Sequence, residues 1–264
     1  MRLDKWYLDA VFPDRSVWFG YRAQLVLGRC PSIPWTFACE VFPDGRERTA
    51  SRWKSLAEPR LKNGQWLWHG PDGFGACWEP LSPGAESVLA SDAQLRVRWH
   101  CLTPRAKVTR ICRNGVTSDE GQNAAFQGIG YIEHLQIETS SPRLPFRELH
   151  WGRACAGESS LVWIRWGRGR ELTLLLEDGV RVDGRLEPLG EGGVRIETAQ
   201  GQWETGSGRP LCDRNVRRSF PRWLVWLTRE IAPVRELKMS GPVRFRASSG
   251  DLIGSGIWEE VRWL

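Results

Sequence analysis

Apolar and polar residues alternate along most of this chain with the two-residue period of a β-strand, not the 3.6-residue period of a helix. The clearest run is Val17, Phe19, Tyr21, Ala23, Leu25 and Leu27, whose side chains share one face that should be buried. An aromatic stretch at residues 6–12 and the turn Pro13-Asp14-Arg15-Ser16 precede it, so the chain opens on a predicted hairpin. Further strands are expected at residues 36–42, closed by Pro43-Asp44-Gly45, at 65–69 and at 75–79. Leu95, Val97, Trp99 and Cys101 alternate with Arg96, Arg98 and His100, a half-buried strand with its polar face in water. Residues 108–112 lead into Asn114-Gly115, a pair that tight hairpins favour. Only 52–61 and 82–91 fit a short helix, so the chain reads as all-β.

The second half repeats the order of the first. Trp6 and Trp18 are matched by Trp151 and Trp163, both at an offset of 145. Asp44-Gly45 is matched by Asp178-Gly179, Gly64-Gln65-Trp66 by Gly201-Gln202-Trp203, and Leu102-Thr103 by Leu227-Thr228. Gly128-Ile129-Gly130-Tyr131-Ile132-Glu133 is matched by Gly254-Ser255-Gly256-Ile257-Trp258-Glu259, at an offset of 126. Offsets that drift while order is kept indicate tandem duplication of one β-unit. Two copies are too few for a solenoid or propeller, which leaves two barrels or sandwiches. The boundary is expected in Ser140-Ser141-Pro142-Arg143-Leu144-Pro145, where two prolines discourage helix and ladder pairing. That gives an N-terminal unit 1–139, a linker 140–145 and a C-terminal unit 146–264.

Composition narrows the function classes. The formal charge of +6 comes from arginines spread along the whole chain. A nucleic-acid groove would concentrate them in a basic stripe, so no nucleic-acid partner is expected. Seven cysteines, an odd number with no two spaced as CxxC, and no apolar leader after Met1 suggest reduced thiols in a cytoplasmic chain. There is no HExxH, paired CxxC or His cluster, hence no expected metal. The stretches Gly167-Arg168-Gly169-Arg170 and Gly190-Glu191-Gly192-Gly193 read as turns rather than phosphate loops, and no Gly-x-Ser-x-Gly elbow exists. No cofactor is expected. Sixteen tryptophans are mostly explained as filling of two β-cores.

The tandem units, the Gly-x-Gly-Tyr-x-Glu of 128–133, the Glu148-Leu149-His150-Trp151-Gly152 opening the second unit and the strand Trp163-Ile164-Arg165-Trp166 resemble a known family. It is the lipocalin-like carotenoid hydratase (hydroxyneurosporene synthase) superfamily, a remote group that takes in kievitone hydratase and tocopherol cyclase. The resemblance covers most of the chain in layout and implies two tandem lipocalin-like antiparallel β-barrels, a calycin-type duplication. The family typically has an Asp-His pair just before its Trp-Gly. Here Glu148-Leu149 stands in that place and His150 follows one residue late.

Hydrating or cyclising an alkene needs an acid held neutral by an apolar site and aromatic faces to stabilise a cation. By strand parity Tyr131, Glu133 and Leu135 point one way, and Glu148, His150 and Gly152 share another face. Glu133, Glu148 and His150 are therefore the candidate catalytic residues. Tyr131, Trp151, Trp163, Arg165 and the strand-end His69 are candidate ligand contacts. Three readings stay open: an acid-catalysing hydratase, cyclase or isomerase; a carrier on the same fold; and a carbohydrate-binding β-protein with exposed Trp platforms. The first two imply a hydrophobic small-molecule ligand, terpenoid, lipid or polyketide-like, and peripheral contact with a membrane to collect it.

Overall fold

The computed structural model describes every residue except 29, 55–56, 112–126, 142–143, 170, 190–192, 216–233 and 264. The chain divides into two compact units, Met1–Ser140 and Ser141–Leu264. In the first, β1 (Arg2–Val11), β2 (Val17–Val26), β3 (Ile33–Val41) and β4 (Glu47–Arg52) form a meander. It continues through β5 (Arg60–Lys62), β6 (Gln65–His69), β7 (Gly75–Pro80), β8 (Ala85–Ser91), β9 (Leu95–Arg110) and β10 (Gln127–Thr139). The strand order is β4-β3-β2-β1-β10-β9-β7-β6-β5, with β8 along the other length of β9.

The second unit contains β11 (Glu148–Ala156), β12 (Ser159–Gly167), β13 (Leu172–Glu177), β14 (Val180–Val182) and β15 (Gly184–Pro188). After them come β16 (Val194–Thr198), β17 (Gly201–Thr205), β18 (Arg209–Asn215), β19 (Val234–Ala247) and β20 (Gly250–Trp263). Its order, β14-β13-β12-β11-β20-β19-β17-β16-β15 with β18 on β19, repeats the first strand for strand. Both sheets are antiparallel, and each curls around its own core as a lipocalin-like barrel. In the first unit β4 and the turn Pro71–Gly73 are tied by an Arg52–Asp72 ion pair, and the Arg48 guanidinium lies 4.3 Å from the Phe74 ring centre.

Tryptophan fills both interiors. The first core gathers Trp6, Trp18, Trp68 and Trp78 with Leu8, Phe12 and Val108, and the second gathers Trp163, Trp203 and Trp258 with Leu161, Phe245 and Met239. Val17, Phe19 and Tyr21 are buried as expected, but so are Trp18 and Arg22 on the opposite face, and it is Trp18 that joins the core. The expected helix at 82–91 is strand β8, because ladder pairing with β9 overrides a weak local preference. In 52–61 the chain gives no helix among the described residues and enters β5 at Arg60. Among the described residues no helix is long and apolar enough to cross a membrane. The Asn114-Gly115 turn and the Leu227-Thr228 match lie outside the described residues.

Register corrects the repeat alignment. Ala10 pairs with Trp18 and Gly130, and Ala154 pairs with Leu161 and Gly256. The first strands thus correspond at an offset of 144 and the second at 143, while the glycine match at 126 stands. Trp151 takes the place of Tyr7, not Trp6, and Trp163 takes that of Gly20, not Trp18. The alignment by sequence matched like residues; the fold matches positions facing the same way, and the two hairpin turns differ in length. One exchange shows the packing logic. Where the first unit has Leu8 and Gly20, with Trp68 lying over Gly20, the second has Gly152 and Trp163, with the indole lying over Gly152.

Candidate functional site

The outward face of the N-terminal sheet carries a cross-strand row that reads Cys101, Glu133, Tyr7, Tyr21, Phe37 from β9 to β3. Glu133 is buried, and its Oε2 accepts hydrogen bonds from the indole N–H of Trp99 (2.6 Å) and the hydroxyl of Tyr131 (2.8 Å). A bulge between β9 and β10 at Gly130–Glu133 re-aims this stretch, as bulges commonly do at functional sites. Cys101 lies wholly buried beside it, its thiol pushed well above the ordinary range by burial and then by the Glu133 charge. From Tyr7 the row continues as aromatic surface: Tyr21 stacks on Phe37 at 5.1 Å and meets Trp35 edge-on at 4.8 Å, and Trp35 stacks on Trp53 at 5.4 Å. Phe37, Trp35 and Trp53 are half-buried, so the lane runs from the sequestered carboxyl towards solvent.

Glu148 and His150 lie on the inward face of β11, two residues apart, with Glu148 Oε1 3.1 Å from His150 Nε2. Glu260 sits opposite His150 on β20. These three side chains bring ligand atoms within 4.8 Å of one another, a set no sequence spacing reveals because it is assembled across strands. Arg168 already holds Glu148 Oε2 at 3.1 Å, and Arg262 is paired with Glu260. A dication would compete with two guanidinium groups there. The arrangement suits an ion-paired acid–imidazole couple better than a metal.

The remaining candidates are dispersed. Tyr131 belongs to the Glu133 cluster. Trp163 is packed in the second core, and Arg165 is half-buried opposite His150 on β12. Trp151 faces outward, 5.4 Å from the ammonium of the buried Lys238, which pairs with Glu259 and lies 4.0 Å from Glu236. His69 is exposed at the end of β6. Trp99, Tyr7 and Tyr21 were missed as site residues: their apolar alternation marks them as ordinary core, and only pairing brings them beside Glu133. A cleft of roughly 580 Å³ near Arg2, Arg96 and Glu138 holds none of these candidates.

No family profile and no curated protein matches the sequence. Solved structures do. Kievitone hydratase from Nectria haematococca superposes with a TM-score of 0.56 at 10% identity, over 98% of this chain and 88% of that one. CghA gives 0.56 at 12% identity, over 99% and 88%. An AttH-type protein of Nitrosomonas europaea gives 0.59 at 13%, over 100% and 93%. The chain therefore has the tandem lipocalin-like barrel fold of these solved structures.

Proposed function

We propose that this protein is an enzyme of the hydratase or cyclase kind, acting on a hydrophobic small molecule, with Glu133 as its acid. The observation that carries this reading is the buried Glu133 carboxyl gripped at one oxygen by Trp99 and Tyr131. The two donors on Oε2 fix the orientation of the carboxyl. In this reading the neutral acid gives the proton, and the same two donors stabilise the carboxylate left after it.

The step balances without a further reagent. The Glu133 carboxyl gives its proton to one alkene carbon, the π pair forms the new C–H bond, and the adjacent carbon becomes cationic. Tyr7, Tyr21 and Tyr131 offer aromatic faces to that cation. Water then adds and returns a proton to the carboxylate, or a neighbouring double bond closes a ring before a proton is lost. The kinship in fold with kievitone hydratase supports this reaction class. The grip of Arg168 on Glu148 favours a positioning role for the Glu148–His150 couple.

The test is incubation in D₂O with a mixed terpenoid and polyketide extract, read by mass spectrometry. Hydration adds the mass of D₂O to a substrate, and cyclisation or isomerisation adds carbon-bound deuterium. Glu133→Gln should lower turnover by ~100-fold or more while the ligand still binds. Undiminished turnover in that variant would refute the assignment, and the carrier reading would replace it if ligand is retained but never altered.

A further inference from the structure

One end of the N-terminal barrel carries polar groups that the proposed reaction leaves unused. On the inward face, a cross-strand row reads His134, Trp6, Arg22, Thr36 from β10 to β3. The next row inward, Ile132, Leu8, Gly20 and Ala38, is apolar and belongs with the tryptophan core. The next row outward is Gln136, Asp4, Gln24 and Pro34, where exposure rises. The polar row thus forms the floor of the barrel's end. The second unit keeps the same plan, with Arg165 and Thr173 where the first has Arg22 and Thr36.

Most of these groups are engaged. His134 Nε2 lies 3.1 Å from Asp4 Oδ2, to which Gln136 also donates, and Arg22 bridges Asp4 at 3.3 Å and Glu58 at 3.0 Å. The imidazole stacks on Trp6 at 4.3 Å, and the half-buried Trp66 stands 5.9 Å from the same indole. Two groups are not. Trp6 Nε1 and Thr36 Oγ1, on either side of Arg22 in the row, find no hydrogen-bond partner among the described residues, although both residues are more than nine-tenths buried. Native folds keep few such orphans.

The chemistry of the orphans defines what would satisfy them. An indole N–H only donates and a hydroxyl can donate, so the missing partner is an acceptor oxygen. Arg22 is already balanced by Asp4 and Glu58, which removes most of the advantage of an anion. The tryptophan wall calls for a flat apolar body. We propose that this end of the barrel binds a small flat molecule bearing a neutral carbonyl, at a site separate from Glu133.

Acetophenone is the probe, with ethylbenzene lacking the carbonyl and benzoate carrying a charge. The readout is the indole N–H resonance of Trp6 in protein labelled with ¹⁵N-tryptophan, assigned through Trp6→Phe. Acetophenone should shift that resonance saturably, with ethylbenzene and benzoate weaker. Thr36→Val, which removes an orphan hydroxyl and should fold at least as well, should weaken acetophenone by about 3–10-fold, the worth of one hydrogen bond. Equal shifts with ethylbenzene, a non-saturating response, or unchanged affinity in Thr36→Val would each overturn the proposal. Glu133→Gln should bind the probe as the unaltered protein does, so this site and the proposed reaction succeed or fail separately.

Discussion

Gly152→Ala tests whether the two interiors are built by complementary exchange. A β-carbon at Gly152 would stand 2.1 Å from Cζ2 and 2.5 Å from Cε2 of Trp163, against an ordinary carbon–carbon contact of about 3.5–4.0 Å. The ring must retreat by roughly 1.5 Å to restore that contact. It is 1% exposed and hemmed in by Leu161, Leu175 and Trp203, so the retreat becomes strain. Overpacking of this kind costs about 1–3 kcal/mol, and the upper end applies to a rigid aromatic. Removing a strand glycine returns about 0.5–1 kcal/mol of conformational entropy. A net loss near ~2 kcal/mol follows, or a melting point lowered by roughly 8 °C for a unit of this size. Urea titration followed by circular dichroism, repeated in a Trp163→Phe background, isolates the pair. Most of the penalty should vanish in that background. An equal penalty in both would show that the clash with Trp163 is not its cause.

Three further outcomes follow from the charges and thiols. Asp4 is held below the ordinary carboxylate range: burial works against this, but hydrogen bonds from His134 and Gln136 and the charges of His134 and Arg22 outweigh it. Its contribution to stability is therefore present above the unfolded value of 3.8 and lost as pH falls through the lower folded value. The stability gap between the natural protein and Asp4→Asn should narrow as pH falls below about 5; a gap unchanged in acid would contradict the shift. The Cys212 thiol is pushed up to about 12 by burial and then by the Glu236 charge, so iodoacetamide at mild pH should label exposed Cys30 well before Cys212 or buried Cys101, as peptide mass spectrometry would show. Lys238→Met strands Glu259 beside a buried aromatic and should cost about 3–5 kcal/mol in chemical denaturation, with much of it regained when Glu259→Leu is added.

Local alternation made the strands legible, because a two-residue period over β-branched and aromatic residues has one good structural solution. Residues 65–69 coincide with β6, and the Pro13–Ser16 turn is stabilised as its composition suggests, by Asp14 accepting from the backbone N–H and hydroxyl of Ser16. The duplication was legible too, but its register was not. Trp6 and Trp151 are alike in type and face opposite ways, and only cross-strand pairing tells Tyr7 apart from Trp6 as the partner of Trp151. The site was legible by residue type more than by company. Glu133 and Tyr131 are neighbours in sequence, whereas Trp99 reaches Glu133 through the bulged β9–β10 ladder. Asp4 and His134 were invisible as a couple because 130 residues separate them.

The corrected register also explains why the two units need not share one chemistry. Glu133 and Glu259 occupy the same place on their closing strands, each opposite an aromatic residue of the first strand, Tyr7 in one unit and Trp151 in the other. Across the ladder stands Cys101 in the first unit and Lys238 in the second. In the second unit the buried Lys238 ammonium pairs with the Glu259 carboxylate, so removing either partner strands the other. In the first unit the indole N–H of Trp99 and the phenol O–H of Tyr131 fix the orientation of the Glu133 carboxyl. The duplicated position thus meets a thiol across its ladder in one unit and an ammonium in the other.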